Sequence, residues 1–211
     1  MHALIPALEP FMNNTLRVHD AETARHCARV AERALQLGRA SGLDKHDLLI
    51  LGCAAYLHDI GKITIPQQIL NKPGLLNARE WAVIQTHSAQ GEALIRAQTD
   101  IPFADEIAHI VRHHHERWDG GGYPDGLREE TIPLLSRILL VVDSYDAIVS
   151  NRPYRGAKQQ SEALMTLTAA SASKFDPTIL HTFQTMQAET IAEDYCSPQL
   201  SIGNQAIIEL A

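Results

Sequence analysis

The stretch LLILGCAAYLHDIGK, residues 48–62, decides how the chain is read. Its first ten residues are apolar on nearly every side. A helix built from them has no solvent face and belongs in the middle of a bundle. The run closes on His58 and Asp59. Burying an imidazole and a carboxylate there is costly unless something pairs with them, so the rest of the chain must supply a partner. Gly61 would let the backbone turn sharply, so that both side chains face one site. Lys62 would then stand beside them as a fixed positive charge.

Working outward, the pattern is helical almost throughout, with about seven helices. The first runs from Ala21 to about Arg39, with Cys27, Val30, Ala31, Ala34 and Leu35 at helical spacing and Asp20 as N-cap. The central one covers about Asp44 to Asp59. A third starts at Asn77, with Glu80 at capping-box spacing, and carries the stripe Trp81, Ile84, Ser88, Gly91 and Ile95. A fourth covers Ala104–His115, a fifth Leu134–Val149 and a sixth Gln160–Ala170. A seventh starts at Asp176-Pro177, with Pro at the first helical position. ITIP, from residue 63, reads as a short extended piece. PGLLN (73–77) and DGGGYPDGL (119–127) read as loops. The domain is expected over residues 19–194, with an extension at 1–18 and a tail at 195–211.

A chain of 211 residues that is 45% hydrophobic and 20% charged has the composition of a globular domain. Its net charge of −7 argues against DNA as a partner. No segment is long enough to span a bilayer. The three cysteines form no CxxC pair, and the N-terminus, interrupted by Pro6 and Pro10, lacks a basic start. Together these point to the cytoplasm.

Histidine is the unusual component, with eleven in clusters. Glu22 and His26 share a helix face. His58 and Asp59 end the central helix, His87 lies in the third, His113, His114 and His115 end the fourth, and Asp143 interrupts an apolar helix. Each has a bland reading alone: a solvated pair, a satisfied core histidine, a helix C-terminal charge contact, or an Asp143–Arg137 pair. Jointly, five helices presenting carboxylates or imidazoles suit metal ligands converging in a bundle interior. That donor mixture suits iron, manganese, zinc or nickel more than calcium.

HDIGK, KPGLLNAREW (72–81), His87, HHERWDGGGYPDGL (114–127), VVDSYDA (141–147), NRPYR (151–155) and KFDP (174–177), in this order, closely resemble the HD-GYP family, the branch of HD phosphohydrolases that acts on bacterial cyclic di-GMP. The resemblance implies an all-α HD-type helical bundle with a buried centre of two or three divalent metals, iron or manganese first, nickel or zinc next. It implies metal ligands at His58, Asp59, His87, His114, His115 and Asp143, with Asp59 bridging. His26 and Glu22 match ligands of three-metal members. Lys62 matches a phosphate-contacting lysine, Tyr123 and Arg152 match substrate-contacting positions, and Arg155 stands where members often carry Lys or Arg, which suits a phosphate contact. His113 is placed behind the ligands or in solvent.

The implied activity is a phosphodiesterase cutting cyclic di-GMP to pGpG and/or GMP, with Asp59 and Lys62 catalytic. Tyr123 and Trp118 are the flat side chains for guanine, although Trp118 reads equally as core. Rival readings are a non-catalytic nucleotide-sensing or docking module that meets GGDEF-type cyclase domains through the GYP loop, and another HD nucleotide phosphohydrolase or iron oxygenase. A homodimer is compatible with the pattern.

Overall fold

A computed structural model describes residues 21–150 and 159–196 of the chain. In order they form α1 (Ala21–Ala40), α2 (Lys45–Leu57), a 3-10 helix (Ile60–Thr64), the one-turn α3 (Gln67–Leu70), α4 (Ala78–Gln85), α5 (His87–Arg96), α6 (Ala104–His113), a second 3-10 turn (Glu129–Thr131), α7 (Leu134–Val149), α8 (Gln160–Ala169) and α9 (Pro177–Cys196). Among the described residues there is no strand, only an isolated bridge between Ser171 and Phe175. No described helix is long and apolar enough to cross a membrane.

The apolar run from residue 48 does become the central helix. Asp44 caps α2 by accepting the Asp47 N–H at 2.9 Å, satisfying a helix-end donor. Ile50, Leu51, Cys53, Ala54, Ala55 and Leu57 are all buried. α1 and α6 pack against α2, and α7 packs against α1, α2 and α6. α7 itself buries Ile138, Leu139, Val141 and Val142. α8 and α9 close the far side, with Leu167, Ile179, Leu180 and Phe183 in the same core. Fully burying one such side chain is worth about 1.5–3 kcal/mol, so the bundle is held chiefly by this apolar contact.

Three expectations change. The third helix is two: α4 ends at Thr86, whose N–H turns back to Val83 and Ile84 carbonyls, and α5 restarts at His87. With the period interrupted, Ser88, Gly91 and Ile95 are buried while Trp81 is 49% exposed. ITIP is not extended: residues 60–64 form a 3-10 helix, and only Ile65 after it takes an extended backbone. Gly61 serves close approach rather than a sharp turn. A Cβ there would lie 1.9 Å from the His87 carbonyl oxygen and 2.6 Å from the Gly91 nitrogen, so the bare backbone lets the 3-10 helix lie on α5. The split and the one-turn α3 account for nine α-helical segments among the described residues where seven were read. Asp20, Arg152 and Arg155 lie outside the described residues.

Candidate metal centre and substrate cavity

Three histidines reach the centre by one local device. Each stands where a helix ends or two helices meet, and its Nδ1 donates to the carbonyl three residues back: His58 to Ala55 at 2.7 Å, His87 to Ile84 at 2.8 Å and His114 to Val111 at 2.5 Å. Helix-end carbonyls lack intrahelical partners, so the imidazole supplies one and is locked in orientation. With Nδ1 protonated by this assignment, each Nε2 presents a lone pair inward. His58 Nε2 is buried with no hydrogen-bond partner among the described residues. The Nε2 atoms of His87 and His114 face each other at 3.3 Å. Buried acceptors gathered this way call for a cation.

The donors fall into two groups, His26–His58–Asp59 and His87–His114–His115, with ligand atoms in each within 4.8 Å of one another. Asp59 spans both. Its Oδ2 lies 3.5 Å from His58 Nε2 and 3.9 Å from His26 Nε2, while its Oδ1 lies 3.6 Å from His87 Nε2. Asp143 comes from α7, 3.1 Å from His26 Nε2 and 3.9 Å from His58 Nε2. The imidazole and carboxylate donors fit divalent transition metals.

The electrostatics agree with that fit. Burial would push the Asp59 carboxyl up, but Lys62, His58, His87 and His26 hold it well below the usual range. Asp143 is likewise held well below by His26, against the effect of burial. Burial and neighbouring histidines pull His114 well below the ordinary imidazole value, and burial with His87 pulls His115 down to about 3. Neutral imidazoles and charged carboxylates are the forms that bind metal. His26 differs. Burial lowers it, but hydrogen bonds to Asp143 and Asp146 override this and raise it to about 9, so its place among carboxylates is one that favours positive charge.

Asp146 was missed in the sequence. It is fully buried. It accepts from His26 Nδ1 at 2.8 Å, from Arg33 at 2.6 Å and from Arg29 at 3.0 Å, and thereby turns His26 Nε2 toward Asp143 and Asp59. The available signal was its spacing of three after Asp143, which puts both on one stretch of α7. Glu22 is brought to neither donor group. It is half exposed and binds the Arg25 guanidinium at 2.7 Å.

The GYP loop is fastened from below. The buried Glu116 accepts the backbone N–H groups of Asp125, Gly126 and Leu127 at 2.7–3.1 Å. Asp125 is gripped by Arg112 at 2.7 Å and by His113 Nε2 at 2.9 Å, so His113 holds the loop rather than facing solvent. A Cβ on Gly122 would lie 2.5 Å from the His115 carbonyl oxygen. That close approach seats the Tyr123 ring over His115, centroids 4.8 Å apart. Trp118 instead lies under the Arg137 guanidinium, 5.8 Å from its ring centroid, and does not line the cavity. Trp81 does, with Tyr123, Lys62, His115, Asp143 and Lys174 on the same wall system. The cavity holds about 530 Å³, within the range of small-molecule sites. Lys62 enters it while bonded to Asp59 Oδ2 at 2.6 Å.

The HD domain family model matches residues 8–179. The chain belongs to the HD domain family. It is 36% identical over 178 residues to a cyclic di-GMP phosphodiesterase of Thermotoga maritima, covering 84% of this chain and 48% of that one. It is 36% identical over 169 residues to 3'3'-cGAMP-specific phosphodiesterase 2 of Vibrio cholerae, covering 79% and 32%. The chain thus spans about half or less of these relatives' length. Its fold is like that of Bd1817, an HDGYP protein from Bdellovibrio bacteriovorus, with a TM-score of 0.63, 19% identity, and coverage of 78% and 52%. Members of the HD phosphohydrolases use divalent metals, and the intact Gly122-Tyr123-Pro124 is the mark of the HD-GYP branch.

Proposed function

We propose that the chain is a metal-dependent phosphodiesterase that hydrolyses cyclic di-GMP to pGpG and then GMP. The observation that carries the reading is Asp59, with one carboxylate oxygen toward each of two histidine groups at the floor of a cavity of nucleotide size. In this reading His26, His58 and Asp143 would hold one cation, His87, His114 and His115 the other, and Asp59 would contribute a carboxylate to both. On the family resemblance, Glu22 would supply a ligand for a third cation. A divalent pair supplies Lewis acidity for in-line displacement at phosphorus and lowers the pKa of water; iron or manganese is expected first.

The chain's own groups do the rest. Lys62, fixed against Asp59, puts positive charge beside the reacting phosphate, where electrostatic stabilisation is worth most. Tyr123 offers a flat face above His115, and Trp81, rather than Trp118, offers the other. Arg152 and Arg155 are assigned to phosphate contact on the family resemblance. The assigned domain remains 19–194, and the assigned compartment the cytoplasm. Relatives named for cyclic di-GMP and for 3'3'-cGAMP are equally identical to this chain, so both nucleotides belong in the test. Purified protein and its Asp59→Ala variant are incubated with each, and products and bound metal are measured. Wild type is expected to linearise cyclic di-GMP first, and the variant to lose metal and at least about a hundredfold in rate, the scale of removing a main electrostatic group. A variant that keeps metal and rate would refute the assignment, and preference for 3'3'-cGAMP would replace the named substrate.

A further inference from the structure

Among the described residues, two lysines line the cavity, and they are not in the same state. Lys62 is committed: its Nζ is 2.6 Å from Asp59 Oδ2. Lys174, in the turn between α8 and α9, has no carboxylate within ion-pair distance among the described residues. Its Nζ donates to the Ser144 hydroxyl at 2.9 Å and sits 5.1 Å from the Phe175 ring centroid. The backbone beneath it is pinned on both sides. Its N–H bonds the Ala170 carbonyl at 2.9 Å, and its carbonyl accepts the Trp118 N–H at 3.2 Å. The side chain is therefore aimed from a fixed base. Burial pulls the ammonium below the ordinary lysine value, Asp143 opposing and Arg117 adding to this. A cation so placed gains from an anion entering the cavity.

Position separates its task from that of Lys62. Lys62 is held at Asp59, the meeting point of the histidine groups. Lys174 is held instead at α7, by the hydroxyl of Ser144, the residue after Asp143. A cyclic dinucleotide carries two phosphodiesters, and only one can lie over Asp59 at a time.

We propose that Lys174 binds the phosphate that is not being cut and so favours substrates carrying two phosphodiesters over those carrying one. This rests on the phosphodiesterase reading above. The bland alternative is that Lys174 only packs its stem on Phe175.

The test uses the metal-loaded full chain with Lys174→Met, which keeps the stem and removes the charge, and Lys174→Arg, which keeps the charge. Affinity for a bis-phosphorothioate analogue of cyclic di-GMP is measured at several salt concentrations, and KM is measured for cyclic di-GMP and for bis(p-nitrophenyl) phosphate. Lys174→Met is expected to weaken the analogue about tenfold, the scale of one lost charged hydrogen bond, and to flatten its salt dependence. Lys174→Arg should stay within about threefold of wild type, because it keeps the charge. The KM increase should be several times larger for cyclic di-GMP than for the single diester. Unchanged affinity in Lys174→Met, or equal KM increases for both substrates, would overturn the proposal while leaving the phosphodiesterase reading intact. If wild type binds no cyclic dinucleotide, both fall together, and that outcome is distinct because it needs no variant.

Discussion

At the residue scale, the centre depends on groups that do not themselves face the cavity. Asp146 is buried against Arg29, Arg33 and His26, and breaking a buried pair is costly because its partners are left uncompensated. Arg29 and Arg33 keep about a third of their side-chain exposure, which puts the effect at the lower end. Asp146→Ala is expected to cost about 3 kcal/mol and to lower Tm by about 6–12 °C, with metal content falling because His26 loses its orienting bond. Thermal unfolding with elemental analysis checks both, and an unaltered Tm would show Asp146 to be dispensable. His58, Asp59, His87, His114, His115 and Asp143 stood out in the sequence as clustered imidazoles and carboxylates, the resemblance supplied their assignment as ligands, and the structure gathers them at one place. Asp146 was missed because its spacing from Asp143 is its one local sign, and its partner His26 lies 120 residues away in the chain. Glu116 was hidden likewise, since its partners are backbone N–H groups. Glu22 was singled out for its spacing to His26, yet spacing does not reveal that Arg25 competes for it.

At the element scale, helix type and core face were readable from periodicity, and the capping box at Asn77 and Glu80 forms as its spacing implied. The break at Thr86 was not readable. Residues 77–96 keep helical spacing on both sides of it, and no Gly or Pro marks it. The break has a use: it places His87 at a junction, where its Nδ1 can take the Ile84 carbonyl. The turn assigned to Gly61 was likewise a local inference for what is a tertiary contact. Gly61→Ala tests that contact. The added methyl meets backbone at 1.9 Å, which no side-chain movement relieves. The cost is therefore expected to reach or exceed the top of the ordinary overpacking range, about 3 kcal/mol. Chemical denaturation measures it, and a variant as stable as wild type would mean that the 3-10 helix and α5 separate freely.

At the scale of the whole molecule, the apolar bundle is a frame that brings helix ends to one place. α2, α6 and the α4–α5 junction deliver imidazoles, α1 delivers His26, and α7 delivers Asp143 with the Asp146 that orients His26. The GYP loop then roofs the cavity, tied down by Glu116, Arg112 and His113. On the proposed reading, this arrangement makes the hydrolysis of a cyclic dinucleotide depend on a bound metal cluster. The most direct measurement strips the purified chain of metal, titrates iron(II) or manganese(II) back without oxygen, and follows metal bound per chain alongside cyclic di-GMP turnover. Turnover is expected to be absent in the stripped protein, to rise with occupancy and to level off at about two or three ions per chain, the number proposed above. Turnover that persists after stripping, or that never appears at full occupancy, would contradict the account.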